Sequence, residues 1–202
     1  MSIGLLGGSF DPVHSGHLAL ARLARERVPL EQVIFLPTAQ PPHKPNRQFA
    51  PAHARYAMVE LALLREPGLS ASSFELTIGR PSYTIDTVNH FRDRFPRSDL
   101  HLLIGADSFV ELPAWRRWSE LVERCRLVVL SRPGWEVGAD GRGVPEELRA
   151  LAAGDRVRFL DSPPVEASST AIRDLLAAGQ EPPAGWLPPL VLEYCQKYDL
   201  YR

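Results

Sequence analysis

Cysteine is scarce in this chain, and lysine scarcer than its charge would suggest. The two cysteines, Cys125 and Cys195, lie far apart and form no CxxC pair. That excludes a zinc ribbon and a disulfide scaffold, and it predicts a reduced, cytoplasmic setting. Of the 23 basic residues only Lys44 and Lys197 are lysine, and 24 acidic residues leave a net charge of −1. No global positive field is present to draw in nucleic acid or an anionic membrane. No apolar run approaches the roughly 18 to 20 residues of a membrane span. The opening Met-Ser-Ile-Gly-Leu-Leu-Gly-Gly has neither a basic region nor a long apolar core, so it is not expected to act as a signal peptide.

What is present is an ordinary globular composition, with 45% hydrophobic and 23% charged residues in 202. The expectation is one domain over residues 1–202. The 19 prolines exceed the usual share of about 5% and punctuate the loops. Ile3–Ser9, Val33–Pro37, Leu100–Ile104, Leu127–Leu130 and Val157–Leu160 are short apolar runs that read as buried strands, and Ser73–Ile78 alternates and reads as another. Ser15–Val28, Ala52–Arg65, Thr84–Phe95, Ser108–Leu112, Arg117–Arg124, Pro145–Ala153, Ser168–Ala178 and Leu190–Asp199 read as helices. Gly134–Val144 is Gly-rich and is expected to be the most mobile loop. The alternation predicts an α/β fold: a Rossmann-like, doubly wound parallel sheet flanked by helices, with a small C-terminal helical part. In such folds ligands bind beyond the carboxyl ends of the strands.

Where the first strand turns into the first helix, the chain reads Gly7-Gly8-Ser9-Phe10-Asp11-Pro12-Val13-His14-Ser15-Gly16-His17-Leu18. Glycines let the backbone approach a ligand, and the helix start offers N–H groups and partial positive charge suited to phosphate. His14 and His17, three apart, share one face at that end. The string is neither a P-loop nor a dinucleotide GxGxxG. A zinc site would need a third ligand, and no matching spacing supplies one. Here the chain resembles the nucleotidylyltransferase superfamily, which carries a His-x-Gly-His element. The resemblance implies that His14 and His17 contact the triphosphate of a nucleotide, with Gly7, Gly8, Ser9 and Phe10 in the ATP site.

Ser168-Ser169-Thr170-Ala171-Ile172-Arg173 opens a later helix. Alone it reads as capping. The superfamily has a Ser-x-Thr/Ser-x-x-Arg element near its C-terminus, and by that resemblance Ser169, Thr170 and Arg173 grip the β- and γ-phosphates. Ala167 departs from the aliphatic residue expected before the serines.

The middle of the chain bears on the second substrate. Pro41-Pro42-His43-Lys44 is a rigid loop that presents one of the two lysines. Ser82-Tyr83-Thr84-Ile85-Asp86-Thr87 precedes a helix and can offer N–H groups to an anion, or serve as a hydroxyl cap beside a packed tyrosine. Gly105-Ala106-Asp107 ends a strand, and Asp107 can bind ribose hydroxyls or cap a helix from Ser108. Trp115 can stack on a heteroaromatic ring, whereas Trp118 reads as core. Arg132 in Ser131-Arg132-Pro133-Gly134 can face phosphate or solvent.

Together GGSFDPVHSGHL, PPHK, SYTIDT, GAD with Trp115, SRPG, SSTAIR and the tail from Leu187 to Tyr194 resemble the bacterial nicotinate-nucleotide adenylyltransferase family over almost the whole length. That resemblance implies ATP and nicotinate mononucleotide as substrates, and deamido-NAD and pyrophosphate as products. It further implies Trp115 with Tyr83 and Thr84 around the nicotinate ring and carboxylate, Gly105 and Asp107 in the ATP site with Asp107 near ribose, and Lys44 near the phosphates. His17, His14 and Arg173 would be the catalytic groups. Mg²⁺ is expected to arrive with ATP rather than in a protein cage. Alternative acceptors are nicotinamide mononucleotide, phosphopantetheine or a phosphoalcohol with CTP. A non-catalytic nucleotide sensor on the same fold is the alternative from another class. Nucleic-acid and membrane partners are not expected, and the oligomeric state stays open, a homodimer included.

Overall fold

The computed structural model describes residues 1–39, 49–79, 82–131, 134–138, 140–162 and 165–202. Lys44 and its Pro-Pro-His neighbours, and the Arg132-Pro133 pair, lie outside the described residues.

Six strands form one sheet in the order β3-β2-β1-β4-β5-β6: β1 is Ser2–Gly8, β2 Gln32–Pro37, β3 Leu69–Ala71, β4 Asp99–Gly105, β5 Arg126–Leu130 and β6 Val157–Leu160. The order reverses between β1 and β4, the switch point of a doubly wound sheet. β1 pairs parallel to β4, β4 to β5, and β5 to β6, with Leu5 opposite Leu102, Ile104 opposite Val129 and Leu130 opposite Leu160. These strands are continuous apolar runs because a parallel sheet is covered on both faces. The helices are α1 Ser15–Arg27, α2 Ala52–Leu63, α3 Phe74–Thr77, α4 Thr84–Arg94, α5 Ala106–Val110, α6 Trp118–Arg124, α7 Arg149–Ala152, α8 Ser169–Ala177 and α9 Pro189–Lys197. No described helix is long and apolar enough to cross a membrane.

One strand expectation fails. Residues 73–78 are not a strand; α3 lies there, and the third strand is Leu69–Ala71. Phe74, Leu76 and Ile78 do alternate, but local hydrogen bonds outweigh the pattern. The Ser72 hydroxyl accepts from the Phe74 N–H (3.3 Å), the Leu76 N–H donates to the Ser73 carbonyl, and the Thr77 hydroxyl donates to the Phe74 carbonyl. Ser and Thr side chains compete with ladder bonds in this way. Pro145–Ala153 also proves less regular than a single helix, with a 3-10 turn at Glu146–Leu148 leading into α7.

Chain packing resolves two compact units, each assembled from separate stretches of sequence. The first comprises Met1–Leu6, Arg22–Val33 and Tyr83–Pro164. Its core includes Leu102, Leu103, Val128 and Val129, with the Phe109 and Phe159 rings edge to face at 5.4 Å. In its Gly-rich stretch the Gly138 N–H donates to the Arg142 carbonyl, and Asp140 pairs with Arg142 at 2.9 Å. Gly143 sits at φ +62 there, where a Cβ would collide with the Glu136 carbonyl. The second unit comprises Gly7–Ala21, Ile34–Ser82 and Val165–Arg202. In it α2 packs on α9 and β3, with Met58, Val59, Val191 and Cys195 buried and the Cys195 thiol 3.5 Å from the Met58 sulfur.

Candidate active site

In the second unit β1 ends on Gly7 and Gly8 and the chain turns into α1. Gly7 is exposed, and a Cβ there would meet nothing within 4 Å. At Gly8 a Cβ would come within 3.0 Å of the Phe10 ring. Phe10 is buried, at φ 45 in the left-handed region that costs a non-glycine residue on the order of 1–3 kcal/mol. Its ring fills the space over Gly8 and meets His17 edge-on at 5.0 Å and Phe35 at 5.3 Å. The strained turn therefore forms a floor for the second histidine. The following Asp11–Pro12 peptide bond is cis.

His14 and His17 come together as their spacing predicts, with ring centroids 3.8 Å apart. The His14 N–H donates to His17 Nδ1 (3.2 Å), and the Gly16 N–H donates to His14 Nδ1 (3.2 Å). A ring nitrogen that accepts carries no proton, so this network assigns the Nε2–H tautomer to both rings. Each imidazole then has its donor at Nε2. Gly16 leaves room for that geometry, since a Cβ there would lie 3.0 Å from the His14 ring and from the Val165 side chain, and one of them would have to shift. The His14 carbonyl accepts from the His17 and Leu18 N–H groups and so opens α1.

α8 belongs to the same unit. Ser168 caps it, its hydroxyl accepting from the Ala171 N–H at 3.2 Å. Ser169 is thereby left for another role, and its hydroxyl donates to the Pro12 carbonyl (3.0 Å). Arg173 Nη1 donates to the Asp11 carbonyl (2.6 Å), and Nη2 to the Thr170 hydroxyl (3.1 Å). The structure thus joins Ser169 and Arg173 to the turn that carries His14 and His17, across more than 150 residues of chain.

Three residues of this centre carry no role in the sequence reading. Asp11, 1% exposed, accepts at Oδ1 from the Ala50 N–H (3.0 Å) and the Tyr201 hydroxyl (2.8 Å). Arg55, also 1% exposed, donates to the carbonyls of Ser9 (2.7 Å), Ala39 (2.9 Å) and Ala50 (3.0 Å). Burial lowers the Arg55 pKa, and the Asp11 charge opposes that shift. Burial raises the Tyr201 pKa, reinforced by the Asp11 charge and hydrogen bond, so this phenol stays a donor. Arg55 was legible in principle. The buried positions of α2 are 54, 55, 58, 59, 62 and 63, and Arg55 stands on that stripe three and four residues before Met58 and Val59.

In the first unit Tyr83 is the N-cap of α4, without a side-chain cap bond, so the hydroxyl-cap reading of this segment does not hold. The Arg116 guanidinium lies 4.6 Å from the Tyr83 ring centroid, a cation–π contact. Gly105 is the N-cap of α5, which starts at Ala106; Asp107 therefore sits in the first turn and does not cap a helix from Ser108. Trp115 is half-buried and closes the 3-10 turn Leu112–Ala114, its N–H donating to the Leu112 carbonyl (2.9 Å). Trp118 is half-buried too, less enclosed than a core residue. Among the described residues, no group of three or more His, Cys, Asp or Glu is arranged to hold a metal ion.

The family model described as cytidylyltransferase-like matches residues 5–175. The chain belongs to that family. It is 41% identical over 202 residues to a protein of Gloeobacter violaceus named "Probable nicotinate-nucleotide adenylyltransferase", covering 98% of this chain and 95% of that one. A protein of Solibacter usitatus with the same name is 41% identical over 203 residues, covering 100% of both. Among solved structures, the Plasmodium falciparum nicotinic acid mononucleotide adenylyltransferase complexed with NaAD superposes with a TM-score of 0.76 at 17% identity, over 99% of this chain and 97% of that one. That likeness is one of fold.

Proposed function

We propose that this enzyme transfers the adenylyl group of ATP to nicotinate mononucleotide, giving nicotinate adenine dinucleotide and pyrophosphate, a step of NAD biosynthesis. The observation that carries the reading is the His14–His17 pair at the head of α1, its ring centroids 3.8 Å apart and its planes tilted by 39°, on a turn whose Asp11 carbonyl holds Arg173. The names of the full-length relatives support the choice of acceptor.

The chemistry is an in-line displacement. A 5′-phosphate oxygen of the mononucleotide attacks the α-phosphorus; a new P–O bond forms, the bond to the β-phosphate oxygen breaks, and pyrophosphate leaves with the electron pair. The attacking phosphate is ionised at neutral pH, so no protein base is needed, and catalysis is positioning plus charge stabilisation. We assign His17 and then His14 to the transferring phosphoryl group, through Nε2–H. Arg173, Ser169 and Thr170 are assigned to the departing pyrophosphate. Gly7, Gly8 and Ser9 line the ATP site with the buried Phe10 ring supporting them from beneath, and Gly105 and Asp107 take part in ATP binding, Asp107 at the ribose. Tyr83, Thr84 and Trp115 take the nicotinate ring and carboxylate, and Lys44 takes phosphate. ATP enters as its Mg²⁺ complex, the ion held by triphosphate oxygens and water. Residues 1–202 act as one nucleotidylyltransferase domain, and the two buried thiols suit a cytoplasmic setting.

The deciding experiment supplies Mg-ATP with nicotinate mononucleotide, nicotinamide mononucleotide or phosphopantetheine and follows pyrophosphate release. The expected result is turnover with the nicotinate compound well above the other two. Equal or faster turnover with either competitor would reassign the acceptor. ATP binding with no pyrophosphate from any of the three would make the protein a nucleotide sensor.

A further inference from the structure

We propose that Tyr201 is a positioning residue for the ATP phosphate grip, acting through Asp11 on Arg173. The inference rests on the assignment of Arg173 to the phosphates.

The turn Ser9–Phe10–Asp11 is held from three directions. Arg55 takes the Ser9 carbonyl, the Tyr201 hydroxyl and Ala50 N–H take Asp11 Oδ1, and Arg173 takes the Asp11 carbonyl. The turn is strained at Phe10, so it keeps its shape only because its surroundings over-determine it. Asp11 Oδ2 is buried with no hydrogen-bond partner among the described residues, and it lies 3.7 Å from Arg173 Nη1. That distance is too long for a hydrogen bond but short for a charge pair. Arg173 thus stands between two acceptors of one residue, bonded to the carbonyl and drawn by the carboxylate. The Tyr201 hydroxyl fixes that carboxylate through its other oxygen. Without it, Asp11 retains only the Ala50 N–H, and the carboxylate is free to rotate onto Arg173. An arginine locked in a direct buried ion pair has less of its fork to offer a phosphate.

Tyr201→Phe removes one oxygen and keeps the ring. The expected result is a rise of about 3- to 10-fold in the KM for Mg-ATP, the size of one hydrogen bond. The kcat falls by a comparable factor, because Arg173 is assigned to the departing pyrophosphate, and the acceptor KM is unchanged. Titration of the protein with Mg-ATP alone, without acceptor, should show the same weakening in Kd. The double variant separates positioning from general support. In an Arg173→Ala background, Tyr201→Phe should leave the KM for ATP unmoved, since the residue through which it acts is gone. An equal rise in both backgrounds would overturn the proposal, as would a Tyr201→Phe variant with wild-type affinity for Mg-ATP. If Arg173→Ala alone leaves ATP affinity and turnover intact, the assignment of Arg173 fails, and this inference fails with it.

Discussion

The turn before α1 and the segment around Tyr83 and Trp115 are held in different ways. The turn is fixed through its own Asp11 and by Arg55 and Tyr201, which come from distant parts of the sequence, and Asp11 and Arg55 are almost fully buried. Around Trp115 the bonds are local: its N–H reaches Leu112, and its carbonyl takes the Trp118 N–H. The rings there are half-buried, and the cation beside Tyr83 is the exposed Arg116. The contrast follows from what each region is proposed to do. Donors that stabilise charge developing on a phosphoryl group help only if they are fixed before the reaction. Recognition of a flat ring relies on stacking area, which tolerates small adjustments.

Three substitutions sharpen that contrast, in decreasing order of effect. His17→Ala removes a donor at the transferring group. It should lower kcat by about 10²- to 10³-fold, with the far-UV circular dichroism spectrum unchanged. Near-normal turnover in that variant would sink the assignment. Arg116→Ala should act on selectivity: the ratio of kcat/KM for nicotinate over nicotinamide mononucleotide should fall by about 3- to 10-fold, because a positive charge beside Tyr83 complements the carboxylate that the amide lacks. An unchanged ratio would mean that Arg116 only covers the Tyr83 ring. The smallest change is Ser168→Ala, which removes the cap of α8 and should cost about 0.5–2 kcal/mol of stability, read as a lower urea midpoint. A wild-type midpoint would show that the Ser168 bond adds nothing to the helix.

Most of the architecture was legible because a parallel sheet writes itself as apolar runs between amphipathic helices. The strands at β1, β2, β4, β5 and β6 fall within a residue or two of their expected positions. Residues 73–78 depart from the strand expectation because six residues of alternation cannot be told from a helix turn closed by Ser72 and Thr77 side chains. At the site, the His-x-Gly-His spacing predicted two rings on one face, and they meet. The Ser168 cap was also readable, since hydroxyl residues before a helical pattern have a local purpose. Tyr201 was not readable. Nothing in the sequence around it signals a hydrogen bond to residue 11, and only folding brings the two within 2.8 Å.

By itself the sequence determined the alternation of strands and helices, the glycine and histidine spacing at the head of α1, and the absence of a broad positive charge. Those properties are local or compositional, set by side-chain periodicity and by backbone geometry over a few residues. The tertiary structure alone decided that Arg173 bonds the Asp11 carbonyl, that Arg55 ties Ser9 to Ala39 and Ala50, and that Tyr201 holds the Asp11 carboxylate. Each of these joins groups distant in sequence. Burial makes them strong, because a charge or carbonyl removed from water must find its partner inside the protein.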